Sequence, residues 1–182
     1  AQSTFGGEKE ELIVGQAFAG EGDEAKWSPA FSMKFRNVGG TAMSPNGELV
    51  AYTVRTPVME GEKSEYRTHI WLATTDGSMD FQFTQGDKSC SSPAFSPDGK
   101  YLTFLSSRGG KSSQLWMMRV RGGEAVKITE TKGGVGSYRW APDGAKIAFL
   151  MRDPETEEEK KAKKEKRDVI LVDQNFKYSH LY

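Results

Sequence analysis

The chain has 182 residues, 25 Lys and Arg against 25 Asp and Glu, and a formal net charge of zero. That balance gives no electrostatic reason to expect a nucleic-acid or anionic-membrane partner, and no apolar run approaches the roughly 20 residues that span a bilayer. A single cysteine excludes an internal disulfide framework and any multi-cysteine metal site, while 20 glycines and 36% hydrophobic residues suit a turn-rich β protein with enough apolar material for a core.

Residues 1–26 are rich in Gly, Glu and Lys around one apolar patch, Leu12-Ile13-Val14, and read as a flexible N-terminal arm. The start, Ala1-Gln2-Ser3, suits either a mature terminus left by signal cleavage or an arbitrary boundary. Ser28 as cap and Pro29 at the first helical position predict a helical turn or two within Trp27–Phe35, so residues 1–40 form arm plus short helix. Strand signals then dominate: Glu48–Arg55, His69–Ala73, Tyr101–Ser106, Leu115–Val120, Ala125–Thr129 and Lys146–Met151 are β-branched and aromatic runs punctuated by Gly, Asp or Pro.

A repeat organises them. Ala94-Phe95-Ser96-Pro97-Asp98-Gly99, followed by the apolar run Tyr101–Leu105, recurs earlier at Ala42–Gly47 and later at Trp140–Gly144. Trp71 to Thr84 and Thr84 to Pro97 are each 13 residues, and so are Trp116 to Thr129 and Thr129 to Pro142. Such a unit, about 45 residues with four short strands, has the size of a propeller blade. The Pro-Asp-Gly segments are hairpin turns joining first and second strands, with Pro presetting φ and Gly closing the turn; Asn46 stands in for Asp in the first copy. A metal-ligand reading of these Asp residues is set aside on that ground. The expected fold is all-β: about two and a half blades of a partial β-propeller over residues 41–182, with repeats near 41–84, 91–129 and 135–182. Because a ring usually needs four or more blades to close, the chain is expected to be the N-terminal part of something larger.

Two excursions leave the repeat between second and third strands: Thr56–Tyr66, and the charged run Asp153–Asp168, after which Val169–Val172 resumes as strand. Both should emerge on one face of the disc. Within the second, Glu157 and Glu159 precede Lys161 and Lys163 by four residues, predicting a solvated helix, acidic first and basic later. Tyr178–Tyr182 is a candidate next strand. On the first excursion, Glu60, Glu62 and Glu65 are candidates to hold a substrate's free amino group, with plain solvated charge as the alternative.

No Gly-x-Ser-x-Gly elbow occurs, and Gly133-Gly134-Val135-Gly136 leads into an inner strand, so it is a linker rather than a dinucleotide fingerprint. His69 and His180 have no His or Cys at ligand spacing, and Cys90 has no base beside it, so His69 and Cys90 read as strand residues. No catalytic residue, metal site or cofactor is expected within these residues.

Ser96–Gly99 with Phe104–Arg108, Gln114-Leu115-Trp116, Gly122–Ala125 and Lys127-Ile128-Thr129 resembles the β-propeller of prolyl oligopeptidase family serine peptidases, in the acylaminoacyl-peptidase and dipeptidyl-peptidase-like branch. Lys63–Tyr66 before His69-Ile70-Trp71, and Asp153–Thr156 before Asp173–Tyr178, favour that branch over TolB-like propellers, which share the blade motif. The resemblance implies a propeller that limits access to a C-terminal α/β-hydrolase domain bearing Ser, Asp and His, in an enzyme removing short units from peptide N-termini. None of those catalytic positions occurs in this sequence, so the chain alone should be inactive while the intact protein hydrolyses peptides. The implied partners are that same-chain domain and peptide substrates, with no nucleic acid or membrane, and the implied location is secreted or periplasmic. The alternative class is a TolB-like, non-enzymatic protein-binding propeller.

Overall fold

A computed structural model describes residues 35–60, 63–165 and 178–182. The expected arm, the helical turn near Ser28 and the strand Val169–Val172 lie outside the described residues. Three antiparallel sheets follow one another along the chain. The first is β1 (Asn37–Met43), β2 (Leu49–Glu60), β3 (Lys63–Thr74) and β4 (Asp80–Gln82), in that order across the sheet. The second repeats it with β5 (Cys90–Phe95), β6 (Tyr101–Ser106), β7 (Gln114–Arg119) and β8 (Val126–Lys127). The third holds β9 (Val135–Trp140), β10 (Ile147–Arg152) and β11 (Ser179–Leu181). A helix, α1 (Glu157–Lys164), sits between β10 and β11. Among the described residues the chain is all-β apart from that helix, and the sheets are successive blades of an open, partial propeller.

The repeated turns fold as their chemistry dictates. Ser96 Oγ donates to Asp98 Oδ1 (2.6 Å) and accepts from Tyr101 N (3.0 Å), while Asp98 Oδ1 also accepts from Lys100 N (3.1 Å). Ser44 and Asn46 make the same bonds one blade earlier, Ser44 Oγ to Asn46 Oδ1 at 2.7 Å and Leu49 N to Ser44 Oγ at 2.9 Å. Gly47, Gly99 and Gly144 take φ values of 73°, 69° and 70°, the left-handed conformation in which a Cβ is strained. The turns also stack: Gly99 lies against Pro45 of the preceding blade, and Gly144 against Pro97.

The 13-residue ruler marks a hydrogen bond. β4 and β8 are only 3 and 2 residues long, so their ladders with β3 and β7 stop early. Where backbone pairing ends, Thr84 Oγ1 accepts from Ile70 N (2.9 Å), and Thr129 Oγ1 accepts from Leu115 N (2.9 Å). A side chain thus satisfies a buried amide that would otherwise be orphaned. The predicted strand Ala125–Thr129 contracts to Val126–Lys127 for this reason: its distal end bonds through a hydroxyl.

The core lies between blades. Ala51, Ile70, Leu72 and Phe83 of the first pack with Cys90, Phe95, Leu102 and Phe104 of the second. Leu105 and Leu115 of the second pack with Val135 and Tyr138 of the third. Polar ties reinforce the second seam: Tyr138 Oη donates to Ser92 O (2.7 Å) and Trp140 Nε1 to Thr103 Oγ1 (2.9 Å).

One expectation changes. The Thr56–Tyr66 excursion is a continuation of β2 and β3, whose pairing runs from Leu49↔Thr74 to Glu60↔Lys63 without interruption. Thr56, Val58, Tyr66 and Thr68 are good strand formers, and cross-strand contacts sustain the ladder once it leaves the blade. Tyr178–Tyr182 does supply the next strand, with Leu150↔Leu181 and Arg152↔Ser179 in register.

His69 occupies in blade one the place of Gln114 in blade two. Gln114 Oε1 accepts from Thr129 Oγ1 (2.8 Å) and Thr131 N (3.0 Å), and its Nε2 donates to Thr131 O (2.8 Å). His69 Nδ1 is buried without a partner among the described residues. Burial first, then Arg108 and Arg67, hold the imidazole below its ordinary value. A lowered folded value means that its stability contribution is complete above the ordinary imidazole range and is lost as pH falls toward that lowered value. His69→Gln in the full-length protein is therefore expected to raise the urea midpoint increasingly as pH drops from about 7 to about 5; a difference independent of pH contradicts this account. Thr129→Val, which strands Leu115 N, is expected to cost about 1–3 kcal/mol by the same measurement.

Candidate functional site

The feature that departs most from the blade repeat is the β2–β3 hairpin. Beyond Arg55, whose partner Asn37 begins β1, five further pairs run from Thr56↔Arg67 to Glu60↔Lys63. At ~3.3 Å per residue they carry the tip about 17 Å past the blade. Pro57 lies opposite Tyr66 and has no N–H, so this is a non-hydrogen-bonded pair and Pro57 turns its backbone to the open edge. That side of the projecting ladder therefore offers one donor fewer to an intruding strand.

Strand alternation gives the hairpin two unlike faces. Arg55, Pro57, Met59, Ser64, Tyr66 and Thr68 share one, and Thr56, Val58, Glu65 and Arg67 share the other with positions 60 and 63. On the first, the Arg55 guanidinium lies 4.1 Å from the centroid of the Tyr66 ring, and Met59 is 67% exposed. On the second, Glu65 Oε1 accepts from Arg67 Nε (3.0 Å) and Nη2 (2.8 Å).

Of the three glutamates singled out in sequence, Glu65 is an exposed carboxylate on β3 held by Arg67. Glu60 shares its face by register, although the Glu60 side chain and all of Glu62 lie outside the described residues. Sequence reasoning missed Arg67, which fixes Glu65, and the Arg55–Tyr66 stack. The signal was available as charged and aromatic residues alternating with strand formers across Arg55–Thr68.

The second excursion starts from the corresponding strand-to-strand junction of the third blade, between β10 and β11. Asp153 closes its base: Tyr178 N donates to Asp153 Oδ2 (3.1 Å), His180 Nε2 lies 3.1 Å from Asp153 Oδ1, and Asp153 N donates to Tyr178 O (3.0 Å). Beyond it, Thr156 and Glu159 form a capping box, with Glu159 N to Thr156 Oγ1 at 3.2 Å and Thr156 N to Glu159 Oε2 at 2.7 Å. The predicted helix is present, and Glu157 meets Lys160 at 2.6 Å, one residue earlier than the expected Lys161. His69 and Cys90 sit in strands; Cys90 is fully buried, and Arg108 Nη2 donates to its Sγ (3.0 Å). Among the described residues no group of His, Cys, Asp and Glu is placed to hold a metal ion, and no helix is long and apolar enough to cross a membrane.

Comparison with known proteins agrees with this architecture. The peptidase YuxL of Bacillus subtilis is 38% identical over 108 residues, 59% of this chain and 16% of that protein. Dipeptidyl-peptidase 5 of Porphyromonas endodontalis is 28% identical over 122 residues, 67% of this chain and 17% of that protein. The chain thus spans about a sixth of the length of these curated relatives. The solved acylaminoacyl peptidase of Pyrococcus horikoshii shares the fold with a TM-score of 0.58 at 22% identity, over 78% of this chain and 20% of that one. Residues 26–116, half of the chain, match the family described as "Acylamino-acid-releasing enzyme, N-terminal domain", and the chain belongs to that family.

Proposed function

We propose that this chain is the substrate-filtering propeller portion of an exported serine peptidase that releases short units from peptide N-termini. The observation that carries the reading is the β2–β3 hairpin: a continuously paired, charged ladder projecting past the blade, in a chain of the acylamino-acid-releasing enzyme family. Peptidases among the similar proteins support it. In the intact protein a C-terminal α/β-hydrolase domain would supply Ser, His and Asp, with acyl transfer to Ser and then to water. The blades would contribute recognition and exclusion of large substrates.

Glu65 is the residue best placed for recognition. Arg67 engages only its Oε1, so Oε2 remains for a substrate ammonium group. Arg67 partly offsets the charge, and the site is wet, so the gain per contact is of the order of 1 kcal/mol. This suits selection among substrates more than tight binding.

Two measurements on the full-length protein test the reading. A fluorophosphonate probe should label one serine outside residues 1–182; absence of labelling, with no hydrolysis of dipeptidyl anilides, would return the chain to a non-enzymatic TolB-like class. Glu65→Gln should raise KM about three- to tenfold for substrates with a free amino terminus, leave kcat unchanged, and spare N-acetylated substrates. Equal effects on both substrate types would remove Glu65 from amine recognition and leave it a solvated ion pair.

A further inference from the structure

Away from the hairpin, a cleft of about 510 Å³ opens between the outer strands of the first and second blades. Phe81 stands on one wall and Trp116 and Met118 on the other, and Gly122 and Gly123 line it with bare backbone. Phe81 remains 38% exposed despite its apolar neighbours. The Arg108 guanidinium also lines the cleft, 5.3 Å from the Phe104 ring centroid and 5.6 Å from that of Trp116.

Arg108 has an unusual set of partners. Its Nη2 donates to two neutral acceptors, Gln85 O (3.3 Å) and Cys90 Sγ (3.0 Å). No carboxylate among the described residues forms an ion pair with it; Glu124, across the cleft, does not reach it. A half-buried guanidinium without a counter-ion forgoes the interaction that best offsets its desolvation. The excess positive potential is felt nearby, where His69 Nδ1 is buried without a partner and Arg108 opposes protonation of the ring.

We propose that this cleft is a binding site for the C-terminal carboxylate of a peptide ending in an aromatic or large aliphatic residue. Gln85 O and Cys90 Sγ take both Nη2 hydrogens and fix the guanidinium plane, which leaves Arg108 Nη1 to take a carboxylate in a charge-assisted hydrogen bond. Phe81, Trp116 and Met118 cover the last side chain, and Arg119 to Glu124 bring peptide groups at Gly122 and Gly123 alongside. That backbone distinguishes a peptide from a free acyl chain, which has no amide to bond there. The site lies between the outer strands of the first two blades and does not depend on the peptidase reading.

Binding to the full-length protein can be measured by calorimetry or ligand-observed NMR with three probes: N-acetyl-phenylalanine, its C-terminal amide, and hexanoate. The acid is expected to bind about tenfold more tightly than the amide and than hexanoate. Phe81→Ala, an exposed change that spares the fold, should weaken the acid severalfold, and Arg108→Lys should weaken it while keeping the charge. Equal binding of acid and amide overturns the role of Arg108. Hexanoate binding as well as the acid overturns the peptide assignment. Retention of full affinity in the Phe81→Ala variant moves the ligand to another site, and binding that emerges only after deletion of residues 1–26 gives the cleft to the chain's own N-terminal segment; each result sinks the proposal.

Discussion

A four-stranded blade has two faces and too little bulk to bury either by itself, and every cluster in this chain reflects that constraint. Ile70 and Leu72 reach full burial because Phe95, Leu102 and Phe104 of the following blade close over them, and Leu115 is buried by Val135 and Tyr138. Stability is therefore shared between neighbours, as in other repeat architectures. The middle blade shows the consequence most clearly: all but one of the β6 residues are buried, whereas β10 of the third blade alternates between intermediate and exposed positions.

What was legible in the sequence is what local chemistry determines. Ser96-Pro97-Asp98-Gly99 announces its turn because the bonds that make the turn lie within six residues. The spacing of Trp71, Thr84 and Pro97 announced the blade length. The reason for the Thr remained hidden, because a hydroxyl bonding an amide 14 residues away leaves no local signature. The extent of β2 and β3 was hidden for a related reason. The repeat length placed the excursion at Thr56–Tyr66, but a ladder continues as long as cross-strand pairs sustain it, and those pairs are not written in either strand alone.

The candidate sites divide along the same line. Glu65 could be picked out because carboxylates cluster on one excursion, but its orientation depends on Arg67, two residues further along the same strand. Arg108 could not be picked out at all. It lies in a run that reads as strand end and turn, and its distinguishing partners, Gln85 and Cys90, precede it by 23 and 18 residues. Function on a propeller arises at seams and excursions, where the repeat either meets its neighbour or is interrupted.

The clasp at Asp153 has a further bearing on how such a chain can change over evolutionary time. By bonding both Tyr178 N and the His180 ring, Asp153 holds the two ends of the helical excursion together at the blade's edge. Once those ends are fixed, doubling the enclosed length adds only ~0.6 kcal/mol of closure entropy. The blade is thereby insulated from what it carries. Whole segments can be gained, lost or exchanged above the clasp while β10 and β11 keep their register, which makes this junction a port through which a fixed scaffold acquires new surface.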